Sequence, residues 1–143
     1  MKKKCYYASA VLAVFVCFAY CVLLFLQARE DLLYSLKIAV LSALPFLLVS
    51  LLRRWLNLPR PEAGEPDALH RAGGGAFPSR HAYSAFFISV LFLRFYPFYS
   101  IPLFLAAFSI SVLRVLARVH SLADVLGGAV FGTAFGAVTL LFL

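Results

Sequence analysis

The chain has 143 residues, 64% hydrophobic and 13% charged, which is too little polar surface to cover a water-soluble globule. Its formal charge of +7 does not indicate a nucleic-acid partner, because the basic residues collect at the ends of apolar runs and in one loop. Apolar runs of about 20 residues specify an all-α fold instead: a polytopic transmembrane helical bundle of about five spanning helices, read as one domain.

The first predicted helix is Tyr6 to Leu26, behind Met1-Lys2-Lys3-Lys4. It lacks a clear small-x-small cleavage site, so it reads as a retained anchor and not a signal peptide. Cys5, Cys17 and Cys21 all lie in or beside it, with no zinc-site spacing; Cys17 and Cys21 share a helix face, where packing is the expected role. A polar link, Gln27 to Asp31, leads to the second helix, Leu32 to Leu52, in which Lys37 snorkels and Pro45 is expected to kink the axis. Arg53 to Arg80 is the one long polar segment, with four prolines and Gly73-Gly74-Gly75, and it reads as a loop. The third helix runs from Ser79 to Arg94 and is short for a bilayer; Tyr96-Pro97-Phe98-Tyr99 then reads as an aromatic interfacial turn. The fourth, Ile101 to about Leu113, continues through Arg114 to Val119, and the fifth is Val125 to Leu143. Gly128, Gly132 and Gly136 recur every fourth residue on one face of this last helix, a stripe that lets two helices pack closely in a membrane.

Three polar clusters interrupt this apolar pattern. In the first, Arg53 and Arg60 are seven residues apart, two turns if helix persists, and guanidinium groups bind phosphate oxygens bidentately. A cationic membrane flank anchored by Trp55 is the structural alternative. In the second, Phe77-Pro78-Ser79-Arg80-His81, Ser79 is a candidate N-cap of the third helix, whose free N–H groups suit an anion; His81 in the first turn can donate a proton to a leaving oxygen. A cap and an interfacial histidine remain the plainer alternative. In the third, Arg114, His120 and Asp124 lie at the boundary between two apolar runs, where charge is costly and usually functional. His120 and Asp124, four apart, face one another if the last helix begins near His120. Ser121-Leu122-Ala123-Asp124 is also a capping-box pattern, so Asp124 has a structural reading beside the catalytic one.

Taken in order, Arg53-x6-Arg60-Pro61, Pro78-Ser79-Arg80-His81 and Arg114-x5-His120-x3-Asp124 resemble the type 2 phosphatidic acid phosphatase family, whose pattern is K-x6-R-P, P-S-G-H and S-R-x5-H-x3-D. Its active-site kit is shared with soluble vanadium-dependent haloperoxidases, from which the apolar runs separate this chain. Three positions depart from the family: Arg53 for lysine, Arg80 for glycine and Leu113 for serine. Arg80 keeps a backbone N–H for phosphate, and its added side chain narrows the site or binds a second phosphate. Leu113 loses a hydroxyl contact.

The resemblance implies a membrane lipid phosphatase acting on substrates such as phosphatidic acid, phosphatidylglycerol phosphate or undecaprenyl pyrophosphate. His120 would attack phosphorus to give a phosphohistidine, Asp124 would hold its tautomer, and His81 would protonate the departing oxygen. Arg53, Arg60, Ser79, Arg114 and the Arg80 backbone would surround the phosphoryl oxygens, with no cofactor and no metal required. A non-catalytic lipid-phosphate binder, and a metal site or small transporter built on His81, His120 and Asp124, are the competing readings. Five helices put all three motifs on the N-terminal side of the membrane. Lys and Arg number ten there against three on the other side, six against three without the proposed site arginines, so the positive-inside rule points to a cytoplasmic site in a bacterial inner membrane. The polar segment Glu62 to Ala76 is a candidate lid, with His70 an ordinary loop histidine.

Overall fold

The computed structural model describes residues 1–61 and 75–143. The candidate lid and His70 fall almost wholly within 62–74 and so lie outside the described residues. Five helices account for nearly all of the described chain: α1 (Lys2–Glu30), α2 (Leu32–Leu56), α3 (Arg80–Phe95), α4 (Pro97–Leu116) and α5 (Leu122–Phe142).

The helices exceed their apolar runs because nothing at the run ends stops them. No proline or glycine occurs between Lys2 and Glu30, so the lysine tail and most of the Gln27–Asp31 link are helical. Asp31 alone separates α1 from α2; it adopts an extended backbone and its carboxylate accepts the Tyr34 N–H at 3.1 Å, an N-cap that restarts the helix. Pro45 sits inside an α2 that continues past it to Leu56, where Asn57 closes the helix in the left-handed conformation (φ 43°). The expected aromatic turn after α3 contracts to Tyr96. Pro97 is the first residue of α4, a position where its missing N–H costs nothing, so residues 97–99 are helical and not interfacial turn.

The bundle of five helices is as expected, and the short third helix has a particular place in it. Four helices, α1, α2, α4 and α5, are long and apolar enough to cross a membrane. With 16 residues α3 extends only about 24 Å, short of a hydrocarbon core of about 30 Å. It is instead the centre of the bundle: nine of its residues are buried, against three of the 29 in α1. The outward faces of α1 and α2 expose Phe15, Phe18, Phe25, Leu36 and Leu47, side chains that only lipid accommodates in such number. Cys17 and Cys21 are exposed free thiols outside the packed core, Cys17 opening onto the space between α1, α2 and α3.

The glycine stripe of α5 is what brings it against α3. A Cβ at Gly128 would stand 2.5 Å from the Ser79 carbonyl oxygen, and one at Gly132 would collide with the Tyr83 carbonyl oxygen. Further along, a Cβ at Gly136 would meet the Val90 side chain at 2.9 Å. Backbone therefore packs on backbone over two turns, the small-residue contact the sequence suggests. Below it, Tyr83, Phe87, Leu91, Leu103, Ile110 and Ile38 form the apolar core.

Candidate active site

One end of the bundle gathers the C-terminal turns of α2 and α4, the N-terminal turns of α3 and α5, and the segment 75–79. Of the eight residues singled out in the sequence, Arg53, Ser79, Arg80, His81, Arg114 and Asp124 lie on these elements, while Arg60 follows α2 and His120 immediately precedes Ser121, the N-cap of α5. Arg53, in the last turn of α2, is buried and donates from Nη1 to the Pro78 carbonyl at 3.1 Å and the Ala76 carbonyl at 3.4 Å. It thereby fixes the chain entering α3. Gly75 has φ 77°, a region open to glycine, and a Cβ there would crowd the Arg53 side chain at 3.3 Å. Ser79 donates its backbone N–H to the Asp124 carbonyl at 2.9 Å, tying the second motif to the third.

Ser79 is the N-cap of α3, as expected, but its side chain makes no capping bond: the buried Oγ has no partner among the described residues. A hydroxyl left unsatisfied at a helix N-terminus is poised for a ligand. Ser121, by contrast, completes the capping box: its Oγ accepts the Asp124 N–H at 3.2 Å and its N–H donates to Asp124 Oδ2 at 2.7 Å. α5 therefore begins at Leu122, with His120 just outside it. The same Oδ2 lies 3.5 Å from His120 Nδ1, so the structural and catalytic readings of Asp124 hold together geometrically. That contact is longer than a hydrogen bond, and Nδ1 has no other partner among the described residues.

His120 is buried (3% exposed), as are Arg114 and Asp124. Burial, then Arg60, Arg53 and Arg114, and last His81, push the His120 pKa down to about 2, leaving the imidazole neutral. In the first turn of α3, His81 is half-buried and is pushed down to about 4 by burial, then by Arg114, Arg80, Arg53 and Arg60. Among the described residues, one carboxylate, Asp124, stands among four arginines, a surplus of positive charge that an anion would relieve.

The sequence reading did not single out Tyr6. Its ring lies under the Arg114 guanidinium, 5.1 Å from centroid to Cζ, and this contact orients the arginine. The only signal was the aromatic pair Tyr6-Tyr7, one residue beyond the lysine tail. The contact also places the N-terminus on the same side of the bundle as the motifs, as the topology required. The metal-site alternative finds no support in donor geometry: among the described residues no three His, Cys, Asp or Glu side chains converge.

An apolar cavity of about 440 Å³ opens beside His81, between α1, α2 and α3, walled by Ala10, Ala13, Val14 and Phe46 with Arg80 and His81 at its polar end. A second space of about 310 Å³ shares Cys17, Phe46 and Ser84 with the first and follows α3 towards Phe87 and Ile88. His120 does not line either space.

A lipid-facing helical bundle with an arginine-rich histidine site at one end defines a class of membrane enzyme-like folds. Within it, the PAP2 superfamily model matches residues 11–143, and the chain belongs to that family. Two solved structures resemble it. LpxE from Aquifex aeolicus superposes with a TM-score of 0.76 at 26% identity, over 98% of this chain and 85% of that one. A PAP2-type phosphatidylglycerolphosphate phosphatase from Bacillus subtilis superposes with a TM-score of 0.69 at 21% identity, over 95% and 75%; this second likeness is one of fold. No curated protein sequence matches the chain significantly.

Proposed function

We propose that the protein is a membrane lipid-phosphate phosphatase that hydrolyses a lipid phosphomonoester or diphosphate through a phosphohistidine on His120, without a metal or other cofactor. The observation that carries this reading is a buried, neutral imidazole set among Arg53, Arg60 and Arg114 beside the N-terminus of α3. A neutral histidine is a nucleophile, and the guanidinium groups neutralise the phosphate it must approach.

Asp124 faces Nδ1, so Nε2 is the attacking atom. A small contraction of the 3.5 Å contact gives the hydrogen bond that stabilises the imidazolium as the N–P bond forms. The P–O bond breaks with its electron pair on the lipid oxygen, and His81 supplies the proton. A phosphate dianion beside His81 opposes the arginine field and raises its pKa from the depressed value of the empty site, so substrate binding itself charges the acid. In the second step water attacks phosphorus, the P–N bond breaks, and His81 takes the water proton, releasing inorganic phosphate. Arg53, Arg60, Arg114, the Ser79 hydroxyl and the Arg80 N–H hold the equatorial oxygens through both steps.

The apolar cavity beside His81 supports a substrate whose tail lies in the bilayer and whose head reaches the site sideways. The lysine tail on the site's own side favours the cytoplasmic face of a bacterial inner membrane. The test is phosphate release by the detergent-solubilised protein from phosphatidylglycerol phosphate, phosphatidic acid and prenyl mono- and diphosphates, in EDTA, beside His120→Ala. EDTA-resistant release that vanishes in the variant is expected. Folded protein that releases phosphate from none of these lipids would overturn the proposal in favour of a binding protein, the reading to which the Arg80 and Leu113 departures lend themselves.

A further inference from the structure

The cavity is asymmetric with respect to the two histidines: His81 and Arg80 line it and His120 does not. On the phosphatase reading, on which this inference rests, in-line displacement puts the nucleophile and the leaving oxygen on opposite sides of phosphorus. The cavity is then the leaving-group side. The residue next to the leaving oxygen there is an arginine, exposed at the first position of α3, where its side chain is free to turn towards a ligand. Its charge is felt both at His81 and at Arg53, which places it at the seam between the phosphate cluster and the apolar wall.

A neutral leaving group, such as a diacylglycerol, would set an uncharged glycerol against this guanidinium and leave its charge unanswered. We propose that Arg80 binds a second phosphate on the leaving-group side, so that the preferred substrate carries two phosphates in line, the terminal one at His120 and the inner one at Arg80, with its hydrocarbon chain in the apolar cavity. A lipid diphosphate supplies this directly, and a phosphodiester a few atoms from the scissile phosphate presents the same chemistry. With a diphosphate, His120 Nε2 bonds to the terminal phosphorus, the bond from that phosphorus to the bridging oxygen breaks, and the electron pair stays on the inner lipid phosphate. That anion is stable without a proton, so Arg80 takes over part of the task that His81 performs for an alcohol. The lipid monophosphate leaves through the cavity, and water then releases inorganic phosphate from His120.

The experiment compares kcat/KM for farnesyl diphosphate and farnesyl monophosphate, and for phosphatidylglycerol phosphate and phosphatidic acid, in wild type, Arg80→Gly and Arg80→Lys. A charge-assisted hydrogen bond to phosphate predicts that Arg80→Gly loses about 30-fold more on the two-phosphate member of a pair than on its partner, with Arg80→Lys recovering most of that difference. Loss confined to the farnesyl pair identifies a diphosphate as the source, and loss confined to phosphatidylglycerol phosphate identifies a phosphodiester. His81→Ala should cost less on farnesyl diphosphate than on the monophosphate. Equal loss within both pairs, or no loss, overturns the role of Arg80 while leaving the phosphatase reading intact. Absence of release by wild type from all four overturns that reading itself.

Discussion

The two flanks of α3 are built on opposite principles. Towards α5, glycines bring backbone against backbone, and the Ser79 N–H bonds across to the Asp124 carbonyl at 2.9 Å. Towards α1 and α2, α3 meets open space bounded by apolar side chains, with about 440 Å³ beside His81. The first flank fixes the relative positions of His81, Ser79, His120 and Asp124 with little freedom to move. The second leaves room for a flexible chain that the protein need not recognise atom by atom. On the proposed function, rigidity lies where phosphorus would be attacked, and volume where the lipid would enter.

Substitutions should separate the flanks. The largest effect is expected from His120→Ala, which removes the proposed nucleophile and should lower kcat by at least about 1,000-fold with the fold intact by circular dichroism. Gly128→Val tests the rigid flank: its side chain has no room beside the Ser79 carbonyl, and a loss of about 3 kcal/mol should appear as a lower Tm together with lost activity. Asp124→Asn keeps most of the cap but removes the charge facing Nδ1; kcat should fall about 100-fold with a much smaller change in Tm. On the open flank, Phe46→Trp narrows the tail cavity and should raise KM for long-chain lipids several-fold while kcat and short-chain substrates change little. An equal response to Gly128→Val and Phe46→Trp would erase the distinction.

The pH profile sharpens the same contrast. The proposed mechanism requires His120 neutral and His81 protonated. His120 is depressed to about 2, so it loses its proton well below neutrality and stays a base throughout the working range. His81 is depressed to about 4, so its protonated form in the free enzyme grows as pH falls. After correction for substrate ionisation, kcat/KM should therefore rise from pH 8 towards pH 5, with no loss as pH falls through 6.5. A maximum above pH 7.5 would contradict these electrostatics. Arg80→Gly removes one of the charges that depress His81 and should displace the alkaline limb upward.

Much of this was legible in the sequence because the relevant signals are local. Apolar run lengths gave the helices, the capping-box pattern gave the start of α5, and the four-residue glycine period gave its packing face. The three motif spacings marked the candidate residues, and the fold brings their elements together at one end of the bundle. What stayed hidden depends on contacts distant in sequence. Tyr6 reaches Arg114 across more than 100 residues, and the aromatic pair it belongs to does not name that partner. The central position of α3 stayed hidden because an apolar run reads the same whether other helices or lipid surround it. The aromatic turn at 96–99 failed because Pro97 reads as a breaker unless the helix start is known. Ser79 was seen as a cap, yet only the structure shows its hydroxyl left over for another partner.

The central claim is that His120 carries the phosphoryl group. Rapid-quench reaction with lipid substrate bearing a radiolabelled terminal phosphate, followed by alkaline work-up and peptide mapping, tests it most directly. The expected result is a transient, acid-labile, base-stable label on the peptide containing His120, absent in His120→Ala and longer-lived in variants that slow the attack of water. Steady phosphate release with no protein-bound label under fast-quench conditions, or a label on any residue other than His120, would contradict the account.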